Sequence, residues 1–220
     1  NNLHALGIPE EMQHHNMEWV TQGALDFIER NEDDPFFLYL PTTIPHVPSP
    51  VKSMKADPRI TPKGLLDTAP EVQPSRQSVF ERVSDAGLRE EKAVYTWLDD
   101  AIGAVHQKLT DLNIADNTLI ILASDHSAAH DGRGKMTLYE GGVHTPAFVW
   151  WPGEIPSDEV REALAANIDV APTILDAADV DVPDDYTMDG TSMLPLARDG
   201  KDIRSSLYLE ATYSRGVVTD

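Results

Sequence analysis

The spacing of apolar positions changes along the chain, and each change predicts an element. Residues 17–30 carry Trp19, Val20, Leu25, Phe27 and Ile28 at helical spacing, which predicts an amphipathic helix closed by the polar run 31–34 and Pro35. The apolar run 36–40 then predicts a short buried strand, so that helix, turn and strand make an α/β unit. The clearest helix is predicted over 88–112, where Ala93, Val94, Trp97, Leu98, Ala101, Ile102, Val105 and Leu109 recur at helical spacing. Residues 119–123 form an apolar run without polar alternation, predicting a strand buried on both faces as in a parallel sheet. A second apolar strand is predicted over 147–151. Asp169 is expected to cap a helix starting near Val170, with Pro172 tolerated in its first turn. Two last strands are predicted over 206–210 and 216–218, the second with no partner before Asp220.

Between these elements lies a proline-rich stretch, 41–62, whose prolines exclude a central strand or a helix interior. Residues 64–77 continue in the same style. Irregular stretches of this length usually carry function or are disordered. Residues 1–11 are polar and irregular and read as a connection from a longer polypeptide.

Composition narrows the partners. With 220 residues and 41% hydrophobic content the chain can bury a core. No apolar run approaches the roughly 18 residues of a membrane span, and none has the form of a signal peptide. Lys plus Arg number 17 against 37 Asp plus Glu, a formal charge of −20 that opposes bulk attraction to nucleic acid or anionic membrane. There is no cysteine, hence no disulfide, thiolate metal site or thiol nucleophile.

The candidate chemistry gathers in 117–151. Asp125 and His126 follow directly on the apolar strand, where ligands of open α/β sheets collect. A carboxylate suits a hard divalent cation and the neighbouring imidazole widens the choice towards zinc, manganese or iron; a loop cap is the alternative. Lys135 lies in Gly132-Arg133-Gly134-Lys135, where backbone amides can approach an anion and the ammonium adds a compact charge, without the spacing of a P-loop. His46, in Ile44-Pro45-His46, is placed to act as acid, base or anion donor, or is an ordinary surface histidine. His14-His15, His130-Asp131 and His144 carry the same ambiguity, and His14-His15 has no role assigned. The pair Asp99-Asp100 lies on the long helix, where adjacent side chains diverge by about 100°, which favours helix packing over a metal site.

Taken in order, these segments resemble the sulfatases of the alkaline-phosphatase-like superfamily, specifically the C-terminal half of their catalytic domain. The resemblance rests on Ala24-Leu25-Asp26-Phe27-Ile28 followed by Pro35-Phe36-Phe37-Leu38-Tyr39-Leu40, on Pro45-His46, and on Trp97-Leu98-Asp99-Asp100. It continues through Asp116-Asn117-Thr118-Leu119-Ile120-Ile121, Ser124-Asp125-His126, Gly134-Lys135 and Leu138-Tyr139-Glu140-Gly141-Gly142. Asp169-Val170-Ala171-Pro172-Thr173 and Asp189-Gly190-Thr191-Ser192 complete it.

The resemblance implies an α/β sandwich with a mostly parallel central sheet flanked by helices, incomplete here. Residues 1–203 would be the C-terminal part of the catalytic domain and 204–220 the start of a small C-terminal sheet. It implies a sulfuric ester hydrolase with a formylglycine nucleophile and a divalent metal, calcium foremost. Asp125 and His126 would be metal ligands, His126 standing where many members have asparagine. Lys135 and His46 would bind the sulfate and assist the leaving group. The nucleophile motif is not recognisable: Val72-Gln73-Pro74-Ser75-Arg76 ends like the family's motif, but Val72 takes the nucleophile position and the segment follows the Pro-His loop. The chain alone is therefore expected to be inactive and to require the N-terminal half. A sulfate ester, with sulfated saccharides in view, is the expected substrate, and a periplasmic or secreted location is the family expectation. A phosphodiesterase or phosphonate monoester hydrolase of the same superfamily and a non-catalytic anion-binding module are the alternatives.

Overall fold

A computed structural model describes residues 9–127 and 132–219 of the chain. These fall into two compact units, Asn1–Ala115 and Asp116–Asp220.

The first unit is built from helices. Helix α1 (Met17–Arg30) starts at Asn16, whose side chain accepts from the Trp19 amide at 2.9 Å. The same side chain donates to the Pro58 and Ile60 carbonyls at 2.7 and 2.9 Å, so one cap fixes both the helix start and a loop over forty residues away. Helix α2 (Pro50–Lys55) is a short turn capped by Ser49 with Pro50 at its start. Strands β1 (Ile60–Thr61) and β2 (Gly64–Leu65) form a minimal antiparallel pair. Helix α3 (Arg76–Asp85) is capped by Ser75, and α4 (Ala93–Asp111) follows a 3-10 turn over Glu90–Lys92. Helices α1 and α3 both pack on α4, enclosing Met17, Met54, Val79, Val83, Val94 and Trp97.

A charge network lies inside this core. Trp97 is fully buried, and its indole N–H donates to Glu18 Oε1 at 2.8 Å. Arg76 forks onto Glu18 at 2.9 and 2.7 Å, donates to the Ser53 and Ala56 carbonyls, and lies 5.0 Å above the Trp97 ring. Each buried charge thus has its partner, as a low-dielectric interior demands.

Two expectations fail in this unit. Residues 36–40 form no strand: the run has no regular structure, with Phe37 and Tyr39 exposed at 65% and 75%. A strand needs a neighbour to complete its backbone hydrogen bonds, and none pairs with it among the described residues. Phe36 packs edge-on against Phe27 of α1 instead, with centroids 5.9 Å apart. The irregular stretch 41–77 is also more ordered than its prolines suggest, because Pro50 occupies the first helical turn, where its missing N–H costs nothing.

The second unit begins with β3 (Ile120–Ala123), which pairs antiparallel with β4 (Ala147–Trp150) in the register Ile120↔Trp150 to Ala123↔Ala147. The Ser124 amide extends the ladder to the Pro146 carbonyl at 3.1 Å. Helix α5 (Glu140–Val143) is a single turn, and α6 (Val170–Ala177) matches the helix expected after Asp169. Helix α7 (Leu194–Asp199) ends at Gly200, which adopts φ +69°. Strands β5 (Ser206–Ala211) and β6 (Ser214–Thr219) make an antiparallel hairpin, so the last strand does have a partner.

The chain mixes helices and strands as an α/β protein does. Among the described residues, however, every sheet is a two-stranded antiparallel pair. Residues 120–122 are half-buried and Ala123 is exposed. Burial on both faces requires neighbours on both edges and a layer on each side, and β3 has one neighbour here.

Asp169 is fully buried and forks with Arg204, one bond at 2.5 Å. It also accepts from the Ala166 and Thr191 amides at 2.7 and 2.9 Å. Burial alone would raise this carboxyl, but the guanidinium and the two amides outweigh it and hold it below the usual carboxylate range. Thr173 Oγ1 donates to the Asp169 carbonyl and accepts from the Met193 amide at 2.8 Å. A Cβ on Gly190 would lie 2.0 Å from the Ile168 carbonyl oxygen. The two segments 169–176 and 189–192 are therefore halves of one structural latch.

Candidate functional site

β3 delivers Asp125 and His126 to its carboxyl end, and the next bonds fix how they face. The His126 amide donates to Asp125 Oδ1 at 2.9 Å, and Asn167 Nδ2 donates to the Ser124 and Asp125 carbonyls at 3.3 and 3.2 Å. His126 Nδ1 lies 2.8 Å from the Ser127 carbonyl oxygen, an acceptor, so Nδ1 carries the ring proton and Nε2 presents its lone pair. That Nε2 lies 3.2 Å from Asp125 Oδ2. At that distance the two atoms can be bridged by a cation held by both. Donors that share one ion at about 2.0–2.5 Å stand roughly 3 Å apart when adjacent, so the pair fits one edge of a metal site. Among the described residues no third His, Asp or Glu joins them.

Lys135 sits on the loop between β3 and α5. It is exposed and makes no hydrogen bond or ion pair among the described residues. Its turn is built tightly: the Thr137 amide and hydroxyl both donate to the Gly134 carbonyl, at 3.1 and 2.7 Å. A Cβ on Gly142 would lie 2.4 Å from the Thr137 carbonyl oxygen and 2.6 Å from that of Gly134, so only glycine lets α5 rest on this turn. Ser127 Oγ donates to the Gly141 carbonyl. The Ser127 hydroxyl on Gly141, and Gly142 seated on the Gly134 and Thr137 carbonyls, therefore join the Asp125-His126 edge to the Lys135 turn. Arg133 stacks 5.3 Å over Tyr139 beside it.

His46 belongs to the first unit, on the exposed loop after residues 36–40. Among the described residues its ring makes one long contact, 3.4 Å, to the Val47 carbonyl. Its backbone is held firmly: the His46 amide donates to Thr43 O at 3.0 Å, and His15 Nε2 donates to the His46 and Pro48 carbonyls at 2.9 and 2.8 Å. Sequence patterns left His15 unassigned because its partners lie about thirty residues away in a loop without periodicity.

The remaining candidates resolve as structure. Asp100 pairs with Arg82, with Nη1 to Oδ1 at 3.0 Å, in keeping with a packing role for the Asp99-Asp100 pair. Ser75 caps α3 and Arg76 is the buried partner of Glu18, so the motif-like Pro74-Ser75-Arg76 serves the core. His144 bonds to Glu140 one turn earlier at 2.5 Å. Burial first, then the nearby charge of Arg76, lowers His14 below the ordinary imidazole value. His130 and Asp131 lie outside the described residues.

A family model described as Sulfatase matches residues 7–180. The chain belongs to the sulfatase family. It is 33% identical over 194 residues to N-acetylgalactosamine-6-sulfatase of Sus scrofa, covering 82% of this chain and 32% of the relative. It is 31% identical over 193 residues to the uncharacterized sulfatase YdeN of Escherichia coli, covering 83% of this chain and 31% of that protein. The chain thus spans about a third of the length of these sulfatases. Among solved structures, BT4656 in complex with its substrate D-glucosamine-2-N,6-O-disulfate superposes with a TM-score of 0.65 at 20% identity, over 93% of this chain and 59% of that one. The PsFucS1 sulfatase from Pseudoalteromonas sp. gives 0.59 at 23%, over 86% and 36%. These likenesses carry the fold, the alkaline-phosphatase-like α/β fold of sulfatases.

Proposed function

We propose that this sulfatase chain supplies one wall of a site that hydrolyses sulfate esters, with sulfated saccharides as the substrate class. The observation that carries the reading is the facing Asp125–His126 pair at 3.2 Å, joined through the Ser127 hydroxyl and Gly141 to the turn of Lys135, an exposed lysine with no partner among the described residues. A divalent cation, calcium in this reading, would be held by Asp125 and His126, and when bound it neutralises charge on the sulfate oxygens. Lys135 binds a sulfate oxygen, and its full positive charge is available because no carboxylate of the described chain occupies it. His46 presents an imidazole on a clamped loop, suited to donate a hydrogen bond to sulfate or a proton to the leaving oxygen as the S–O bond breaks. The formylglycine nucleophile expected for the family has no matching motif among these residues.

The saccharide class is supported by the relatives named for N-acetylgalactosamine-6-sulfate and by the neighbour held with a disulfated glucosamine. The test is substrate preference in the intact enzyme. Sulfate should be released from 4-nitrophenyl sulfate far faster than 4-nitrophenol from a phosphonate monoester. A reversed preference would contradict the sulfatase reading and favour the phosphonate one.

A further inference from the structure

We propose that His15 is a positioning residue for His46, acting through the backbone of the Pro-His loop; this rests on the role given to His46 above. The His15 side chain is almost entirely withdrawn from water, at 7% exposure. Its polar atoms all meet one loop or its neighbour. Nε2 faces two carbonyl oxygens, those of His46 at 2.9 Å and Pro48 at 2.8 Å, and so must carry the proton. Nδ1 then presents a lone pair, and Thr43 Oγ1 at 2.7 Å donates to it. The His15 amide donates to Ser53 Oγ at 3.0 Å, and Ser53 Oγ donates in turn to the Ser49 carbonyl, which ties the histidine to α2.

One imidazole therefore grips the loop at Thr43, His46 and Pro48, on either side of and at the candidate catalytic residue. Among the described residues the His46 ring has only the long contact to the Val47 carbonyl as an anchor. Its direction is set by its backbone, and its backbone by His15. Glutamine can place an N–H near Nε2, whereas phenylalanine fills the volume with no donor, so the two variants separate bonding from packing.

The experiment is a double-mutant cycle in the intact enzyme, with kcat and KM measured on 4-nitrophenyl sulfate and corrected for the folded fraction. His15→Phe should lower kcat about tenfold or more, with little change in KM, the size usual for outer partners of site residues. His15→Gln should recover most of that loss. In a His46→Ala background, His15→Phe should cost nothing further. Thr43→Val, at an exposed position, should show a smaller loss with the same dependence on His46, and carries the cycle if His15→Phe fails to fold. If His46→Ala is harmful but the losses multiply and glutamine gives no recovery, His15 is a packing residue and the proposal is overturned by itself. If His46→Ala leaves kcat unchanged, the role of His46 falls and this proposal falls with it.

Discussion

Single residues divide here into those that a pattern exposes and those that only the fold defines. Asp125, His126 and Lys135 were picked out as candidates by the pattern, because an apolar run without polar alternation leads into the first two and glycines precede the third. His15 was not, since its partners are carbonyl groups far along the chain, and nothing in the surrounding sequence marks them. Arg76 ends a stretch that resembles the nucleophile motif but is set aside by Val72 and by its order in the chain, and the fold gives it another role: its guanidinium is buried on Glu18, over the Trp97 ring. Arg76→Ala should destabilise by about 3–5 kcal/mol, because it leaves Glu18 buried without its counter-charge. Arg76→Ala combined with Glu18→Gln should recover part of that loss. Urea unfolding checks both, and an Arg76→Ala protein of unchanged stability would contradict the buried pair.

At the level of elements, periodicity identified α1 and α4 because each hides an apolar face, while α6 was read from Asp169 before it and Pro172 in its first turn. Helix α3 escaped because its apolar positions are few, Val79, Phe80 and Val83, and because prolines precede its Ser75 cap. The run 36–40 was read as a strand from its hydrophobicity. Strand formation depends on a neighbour that local sequence does not specify, and the run instead lays Phe36 on α1. The β3 to β4 segment bears the functional claim, and its tightest point is Gly142. Gly142→Ala should push α5 off the Gly134 turn and weaken sulfate binding measured by calorimetry, while the circular-dichroism spectrum of the helices in residues 9–115 persists. Sulfate binding equal to that of the wild type would show that the turn tolerates the methyl group and is not the rigid platform described. Ser75→Ala should cost about 1 kcal/mol through the lost cap of α3, visible as a lower urea midpoint.

For the whole molecule, the two units are stabilised differently, and this sets the response to pH. The first has an apolar helical core, while the second depends on the Asp169–Arg204 latch that joins 169–176 to 189–192. The Asp169 carboxyl lies lower in the folded chain than its unfolded value of about 3.9. Its contribution is therefore complete above that value and is lost as pH falls through the folded value below it. Thermal unfolding between pH 5 and pH 2 should show a steeper loss for the wild type than for Asp169→Asn, and parallel curves would contradict the latch. Family membership was also legible, since the order of short motifs is preserved over nearly the whole chain even though β3 lacks the neighbours of a full sheet. The role proposed for the segment from β3 to β4 is that of the cation-bearing wall of a sulfate site. It is tested most directly by sulfate release from 4-nitrophenyl sulfate in the intact enzyme carrying Lys135→Ala. Its kcat should fall by about 10²–10³ with an unchanged circular-dichroism spectrum, the loss expected when one charge-stabilising donor is removed; a Lys135→Ala enzyme that turns over at the wild-type rate would rule out this role.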